Sequence, residues 1–131
     1  MTKQLDYVDV MRVLLSIVAE NPGKIVESGC YFEEVRHALT LERVITNIPS
    51  CGVGHWLQRA GVTSQQVGDL DLNRAAWDYG WPVADKCDLG LTLTGEADHL
   101  LARFQYHQDR HERWSTALRK AVQDCRKKYP R

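Results

Sequence analysis

The sequence predicts an all-α fold, a small bundle of four to six helices with one long C-terminal helix and at most one short β-hairpin. Residues 94–128 contain no proline and, after Gly95, no glycine, and their apolar side chains recur every seven residues. Residues 6–20 place apolar side chains at helical spacing. Alternation typical of a strand is confined to 89–93, and one strand cannot form a sheet.

Length and composition indicate one helical domain over 1–131. Seventeen basic side chains balance seventeen acidic ones, so the net charge does not indicate an affinity for nucleic acid or for membranes. The charge is uneven, because 1–93 carries eight basic and twelve acidic residues and 94–131 carries nine and five. Four cysteines without a CxxC pair, and no signal peptide or membrane-spanning run, predict a soluble cytoplasmic protein.

Helices are predicted in order along the chain. The first covers 6–20 and ends at Asn21-Pro22-Gly23, and the second covers 31–45, with Val35, Leu39 and Val44 facing inward. Between them, Ile25-Val26 is the segment that would pair with the strand over 89–93.

Three shorter helices follow. Ser50 is the expected N-cap of a helix that carries Trp56 as a core residue and is closed by Gly61. Thr63 is expected to cap a further helix through Val67, and 71–79 forms another.

The C-terminal segment has an apolar seam that needs a partner. Its a and d positions are Ala97, Leu100, Phe104, His107, His111, Trp114, Leu118, Ala121 and Cys125. A helix over 94–128 would be about 50 Å long, whereas a globule of this size is roughly 35 Å across. Either a second copy covers the seam, giving a homodimer through the C-terminal helix, or the helix breaks near 105–108 and folds back as a hairpin.

The predicted function is protein binding. The residues expected to contact a partner are the aromatic cluster and the seam: Trp77, Tyr79, Trp81, Phe104, His107, His111, Trp114 and Leu118. Because no complete catalytic constellation and no cofactor site are apparent, we expect a small non-enzymatic cytoplasmic protein of bacterial or bacteriophage type that acts as an inhibitor or adaptor.

A first alternative is a DNA-binding regulator. Residues 56–67 resemble the helix-turn-helix of bacterial repressors, with Ala60-Gly61-Val62-Thr63 at the turn. The resemblance implies that Thr63, Ser64, Gln65 and Gln66 face DNA. Asp69 and Asp71 place negative charge where phosphates would lie, which makes nucleic acid the less favoured partner.

A second alternative is a metal- or thiol-dependent enzyme. His107 and His111 are four residues apart, as two zinc ligands on one helical face would be, and His99, Asp98 or a second copy would have to supply a third ligand. Cys51 at a helix start, with His55 one turn on, has the arrangement of a nucleophile and its base.

Two further expectations concern small features. Gly52 and Gly54 lack the preceding strand and third glycine of a phosphate-binding turn, so we do not expect a phosphate site there. Burial of His107 and His111 between apolar layers would favour the neutral imidazoles, so stability should fall in acid below about pH 6.5.

Overall fold

The computed structural model describes residues 3–25, 31–36, 38–67 and 91–130. Within these ranges the fold is mixed α/β, so the all-α prediction is wrong, although helices predominate. The elements are β1 (Lys3–Leu5), α1 (Tyr7–Glu20), β2 (Phe32–Arg36), β3 (Arg43–Pro49), α2 (Gly52–Arg59), α3 (Ser64–Val67), β4 (Leu91–Leu93), α4 (Gly95–Gln108) and α5 (Trp114–Lys128). No helix in these ranges is long and apolar enough to cross a bilayer.

Two strand-helix units lie side by side. β1 and β4 pair in parallel, with Leu5 opposite Leu93, and each strand leads directly into a helix. The strand predicted before Thr94 is therefore confirmed, but it pairs with the N-terminus rather than with Ile25, which lies outside any strand. Asp6 and Asp9 form a capping box at the start of α1, and Thr94 caps α4 as predicted.

The helix predicted over 31–45 is an antiparallel pair of strands, β2 and β3, with a bulge between Phe32 and Glu34. Four of the seven residues of β3 are β-branched, and such side chains lose rotamer freedom in a helix but pack well on a pleated sheet. The spacing of the apolar residues in this segment is too irregular to define a single helical face, so local propensity for strand prevails.

The single helix expected over 94–128 is two helices, α4 and α5, joined by a turn over 109–113, so the hairpin alternative describes the chain. The turn needs neither glycine nor proline, because His111 adopts a positive φ of 62°. Histidine is among the residues enriched in this left-handed conformation. Folding back lets the two apolar stripes cover each other, which removes the need for a second copy.

The core is centred on α4, which packs against α1, α2 and α5. A buried chain of amides connects α4 to the first turn of α2. The Gly52 amide N–H donates to Gln108 Oε1 (2.5 Å), Gln108 Nε2 donates to Gln105 Oε1 (3.3 Å), and Gln105 Nε2 donates to Asp109 Oδ1 (3.1 Å). These bonds satisfy polar groups that would otherwise be buried unpaired.

The loop between β2 and β3 contains a residue in a strained conformation. Leu41 has a φ of 61° and is 64% exposed, so its side chain contributes little packing. We expect Leu41→Asn to stabilise the protein by about 0.5–1 kcal/mol, since asparagine tolerates this backbone conformation better. Urea unfolding monitored by circular dichroism measures the change, and a loss of stability would show that the leucine side chain is held in place.

Candidate protein-binding groove

Helix α1 carries two apolar stripes. One, formed by Val10, Leu14 and Ile17, is completely buried in the core. The other follows the spacing of a coiled-coil seam and consists of Val8, Met11, Leu15 and Val18. Val8 and Leu15 are 51% and 55% exposed, so the chain itself covers this second stripe only in part.

Helix α5 provides the opposite wall of a groove. Ser115, Leu118 and Val122 recur at spacings of three and four residues along the face that meets the second stripe of α1. The groove has a volume of about 570 Å³. Its lining residues are Tyr7, Met11, Leu15, Val18, Ser115, Leu118, Arg119, Val122, Gln123 and Arg126.

Backbone hydrogen bonds set the relative position of the two walls. The first N–H groups of α5 have no side-chain cap, and those of Trp114 and Ser115 donate instead to the carbonyls of Lys24 and Pro22, each at 3.0 Å. The turn that follows α1 is thereby attached to the beginning of α5, and the helices run antiparallel. From Tyr7 to Val18 the groove extends over three helical turns, about 16 Å.

Arginine side chains line the α5 side of the groove. Arg119 and Arg126 are both exposed and lie seven residues apart on one helical face, with Gln123 between them. Within the described parts of the chain, neither arginine has a carboxylate at ion-pair distance. The groove therefore combines an apolar floor with positive charge along one side.

Most of the seam residues expected to bind a partner are core residues. Phe104 and Trp114 are completely buried and contact each other edge-on, with 6.4 Å between the ring centroids. Trp114 is also covered by His55 and by the Lys24 ammonium, 5.0 Å from the ring centroid. Of these residues Leu118 alone reaches the groove, as part of its floor. The premise of a dimer through the C-terminal seam thus does not hold.

His107 and His111 are separated by the end of α4 and do not converge on one point. His107 Nε2 lies 2.7 Å from Asp124 Oδ2, and its Nδ1 lies 3.3 Å from Glu112 Oε2. His111 is exposed in the turn. In the described ranges no cluster of three metal-ligating side chains occurs.

The carboxylates around His107 form a charged network that joins α4 to α5. Asp124 also accepts from Arg103 Nε (2.8 Å), and Glu112 pairs with Lys120. Burial raises the pKa of Asp124, but hydrogen bonds from His107 and Arg103 outweigh burial and bring it below 3.8. The Lys120 hydrogen bond likewise lowers the pKa of Glu112 below 4.5. Both carboxylates therefore stabilise the fold above these values, and that contribution is lost at lower pH.

Cys51 is not placed as a nucleophile. It is the N-cap of α2, in place of Ser50, and its sulfur accepts a hydrogen bond from the Gly54 amide at 3.3 Å. Complete burial raises the pKa of the thiol to about 12, although the start of a helix generally lowers the pKa of a cysteine. Protonated at neutral pH, this thiol is a small core side chain.

The residues of the helix-turn-helix resemblance occupy a local turn. Gly61 has a φ of 88°, as the predicted helix end requires, and Thr63 caps the Gln66 amide. Ser64 is buried and both its amide and its hydroxyl donate to Asn47 of β3, at 2.9 and 2.8 Å. One of the four side chains expected to face DNA therefore points into the protein, whereas Gln65 is exposed.

The aromatic cluster of Trp77, Tyr79 and Trp81 lies outside the described residues, as does the helix predicted over 71–79. The groove residues Leu15 and Val122 were not singled out from the sequence, and neither was Val8, which belongs to the same stripe of α1 but does not line the groove. A signal was available, because positions 8, 11, 15 and 18 follow a heptad pattern next to the core stripe.

Two half-buried histidines, His55 and His99, are expected to make the protein sensitive to acid. Burial, reinforced by Lys24 and Arg59, lowers the pKa of His55, and burial with Lys128 lowers that of His99, both from 6.5. The unfolded chain then binds protons first, so stability is complete above pH 6.5 and falls as the pH drops towards the folded values.

We therefore expect a lower urea midpoint at pH 5.5 than at pH 7.5. His99→Gln should reduce the difference. Equal midpoints at both pH values would show that His55 and His99 titrate as in the unfolded chain.

Comparison of the chain with protein-family models, with curated proteins and with solved structures gives no match.

Proposed function

We propose that this protein is a non-enzymatic cytoplasmic binding protein that contacts another protein through the groove between α1 and α5. The observation that carries the proposal is the second apolar stripe of α1, which has the spacing of a helix-packing surface but is half exposed at Val8 and Leu15. Exposed apolar surface beside a groove is typical of protein interaction sites. An inhibitor or an adaptor needs only such a contact with its partner protein.

Burial of apolar side chains would contribute to recognition at the groove. Complete burial of an aliphatic side chain contributes about 1.5–3 kcal/mol, so a partner that covers Leu15, which is 55% exposed, would gain roughly half of that amount there, with smaller gains at the less exposed Met11 and Val122. The β2–β3 pair and its loop also expose apolar side chains, among them Ile48 at 55% and Leu39 at 89%. The groove is favoured because two helices enclose it and arginines border it.

Site-specific photo-crosslinking tests the proposal. A photoreactive phenylalanine analogue replaces Leu15, and the protein is irradiated in the organism that encodes it. We expect one discrete protein adduct from position 15 that disappears when Met11 and Val122 are replaced by serine. The matched control carries the analogue at Leu41, an exposed leucine of the β2–β3 loop. The proposed function would be contradicted if positions 15 and 41 gave the same set of crosslinked proteins, or if position 15 gave no protein adduct.

A further inference from the structure

We infer that the occupant of the groove is an amphipathic helix of a partner protein, with acidic side chains beside its apolar face. This inference rests on the proposed binding function and adds the chemistry of the partner. It is carried by the shape of the groove and by the charge of its border.

The shape fits a helix. Both walls are helices, and their lining residues recur every three or four positions. Residues with this spacing form the holes that receive side chains from another helix. The floor extends for about 16 Å, which corresponds to three turns of an incoming helix. An apolar stripe of four residues on that helix would match Met11, Leu15, Leu118 and Val122 in number and spacing.

The positive charge beside the groove indicates which residues lie next to the apolar stripe of the bound helix. Arg119 and Arg126 lie two turns apart beside the floor, so carboxylates spaced by seven residues on the incoming helix would meet both guanidinium groups. Arg12 is exposed on α1 one position after Met11, where helical spacing places it along the stripe. Glu96 lines a smaller neighbouring cavity with Arg126, so Arg119 is expected to discriminate more strongly between acidic and basic flanks.

The same charges oppose a second copy of this chain as the occupant. Two copies joined through this face would bring Arg12, Arg119 and Arg126 of one copy towards the same residues of the other. Like charges across an interface disfavour association. A small anionic amphiphile is less well matched than a helix, because small-molecule sites enclose most of their ligand, whereas Leu15 in this groove is 55% exposed.

The test uses three synthetic peptides of fourteen residues and the full-length protein. The first has a leucine stripe flanked by glutamates, the second has the same stripe flanked by lysines, and the third keeps the glutamates but carries serines in the stripe. Fluorescence anisotropy of the labelled peptides gives the Kd values. We expect the glutamate-flanked peptide to bind about tenfold or more tightly than the lysine-flanked one, and the serine peptide not to bind.

Variants locate the binding. Arg119→Glu should reverse the preference between the first two peptides, and Leu15→Ser should weaken both. Leu41→Ser removes an exposed leucine (64%, against 55% for Leu15) from the β2–β3 loop and should change neither Kd. Circular dichroism confirms that each variant is folded.

The outcomes separate this inference from the proposed function. Equal binding of the glutamate- and lysine-flanked peptides, or no binding of either, overturns the acidic-helix inference even where position 15 captures a protein in cells. If Arg119→Glu reverses the preference between the two peptides, the inference is supported even where no cellular adduct forms. The missing adduct would contradict only the proposed function. Two other results would also overturn the inference. One is a dimer in sedimentation that dissociates when Leu15 is replaced by serine. The other is displacement of the peptide by a fatty acid at a lower concentration than is needed with a second acidic helix.

Discussion

Gly54→Ala is expected to unfold much of the protein, with a loss of about 3 kcal/mol or more in the free energy of unfolding. A Cβ at this position would lie 1.8 Å from the Tyr31 carbonyl oxygen. The Tyr31 carbonyl is a backbone group, and it already accepts a hydrogen bond from the Ser50 amide at 2.9 Å. It could therefore move away from a new Cβ only if this hydrogen bond at the start of β2 were broken. Gly54 is thus required for the close approach of α2 to β2.

Gly23→Ala is the matched control, since nothing lies within 4 Å of a Cβ there. Urea unfolding of both variants, monitored by circular dichroism, gives the comparison. A loss below about 1 kcal/mol in Gly54→Ala would mean that the first turn of α2 does not pack on the Tyr31 carbonyl.

Trp114→Ala is expected to cost about 3–5 kcal/mol, the range for deleting a large aromatic side chain from a core. Trp114 is completely buried where α4 and α5 meet, against Phe104 and His55. Its indole nitrogen has no hydrogen-bond partner in the described ranges, so Trp114→Phe should cost clearly less.

Equilibrium urea unfolding of the two variants tests the hairpin interpretation of the C-terminal third. Were Trp114 an interface residue, as the sequence first indicated, Trp114→Ala would leave the free energy of unfolding of the isolated chain almost unchanged. If α4 and α5 pack against each other within one chain, the loss in the free energy of unfolding does not depend on protein concentration.

Local signals predicted the elements whose boundaries depend on nearby residues. The helix over 6–20 is α1, which begins at Tyr7, and the Thr94 cap and the strand before it are present. Trp56 is a core residue as predicted. Periodicity and capping residues act within one or two turns of the chain, so one sequence is sufficient to identify them.

Features that depend on long-range packing were not predicted. The heptad pattern over 94–128 is compatible with one helix or with two that face each other, and the choice rests on a turn that His111 makes without glycine. Likewise, α1 has more apolar positions than one face requires, but which stripe remains exposed depends on where α4 and α5 pack. The groove could therefore be located only in the folded chain.

Chemical-shift mapping of the groove tests the central claim most directly. The glutamate-flanked peptide is titrated into uniformly ¹⁵N-labelled full-length protein, and the backbone amide shifts are followed. We predict that the largest changes occur at Met11, Leu15, Leu118 and Val122, with Ile48 of β3 unaffected. Changes concentrated on the β2–β3 pair, or an unchanged spectrum at saturating peptide, would contradict the assignment of the α1–α5 groove as the binding site.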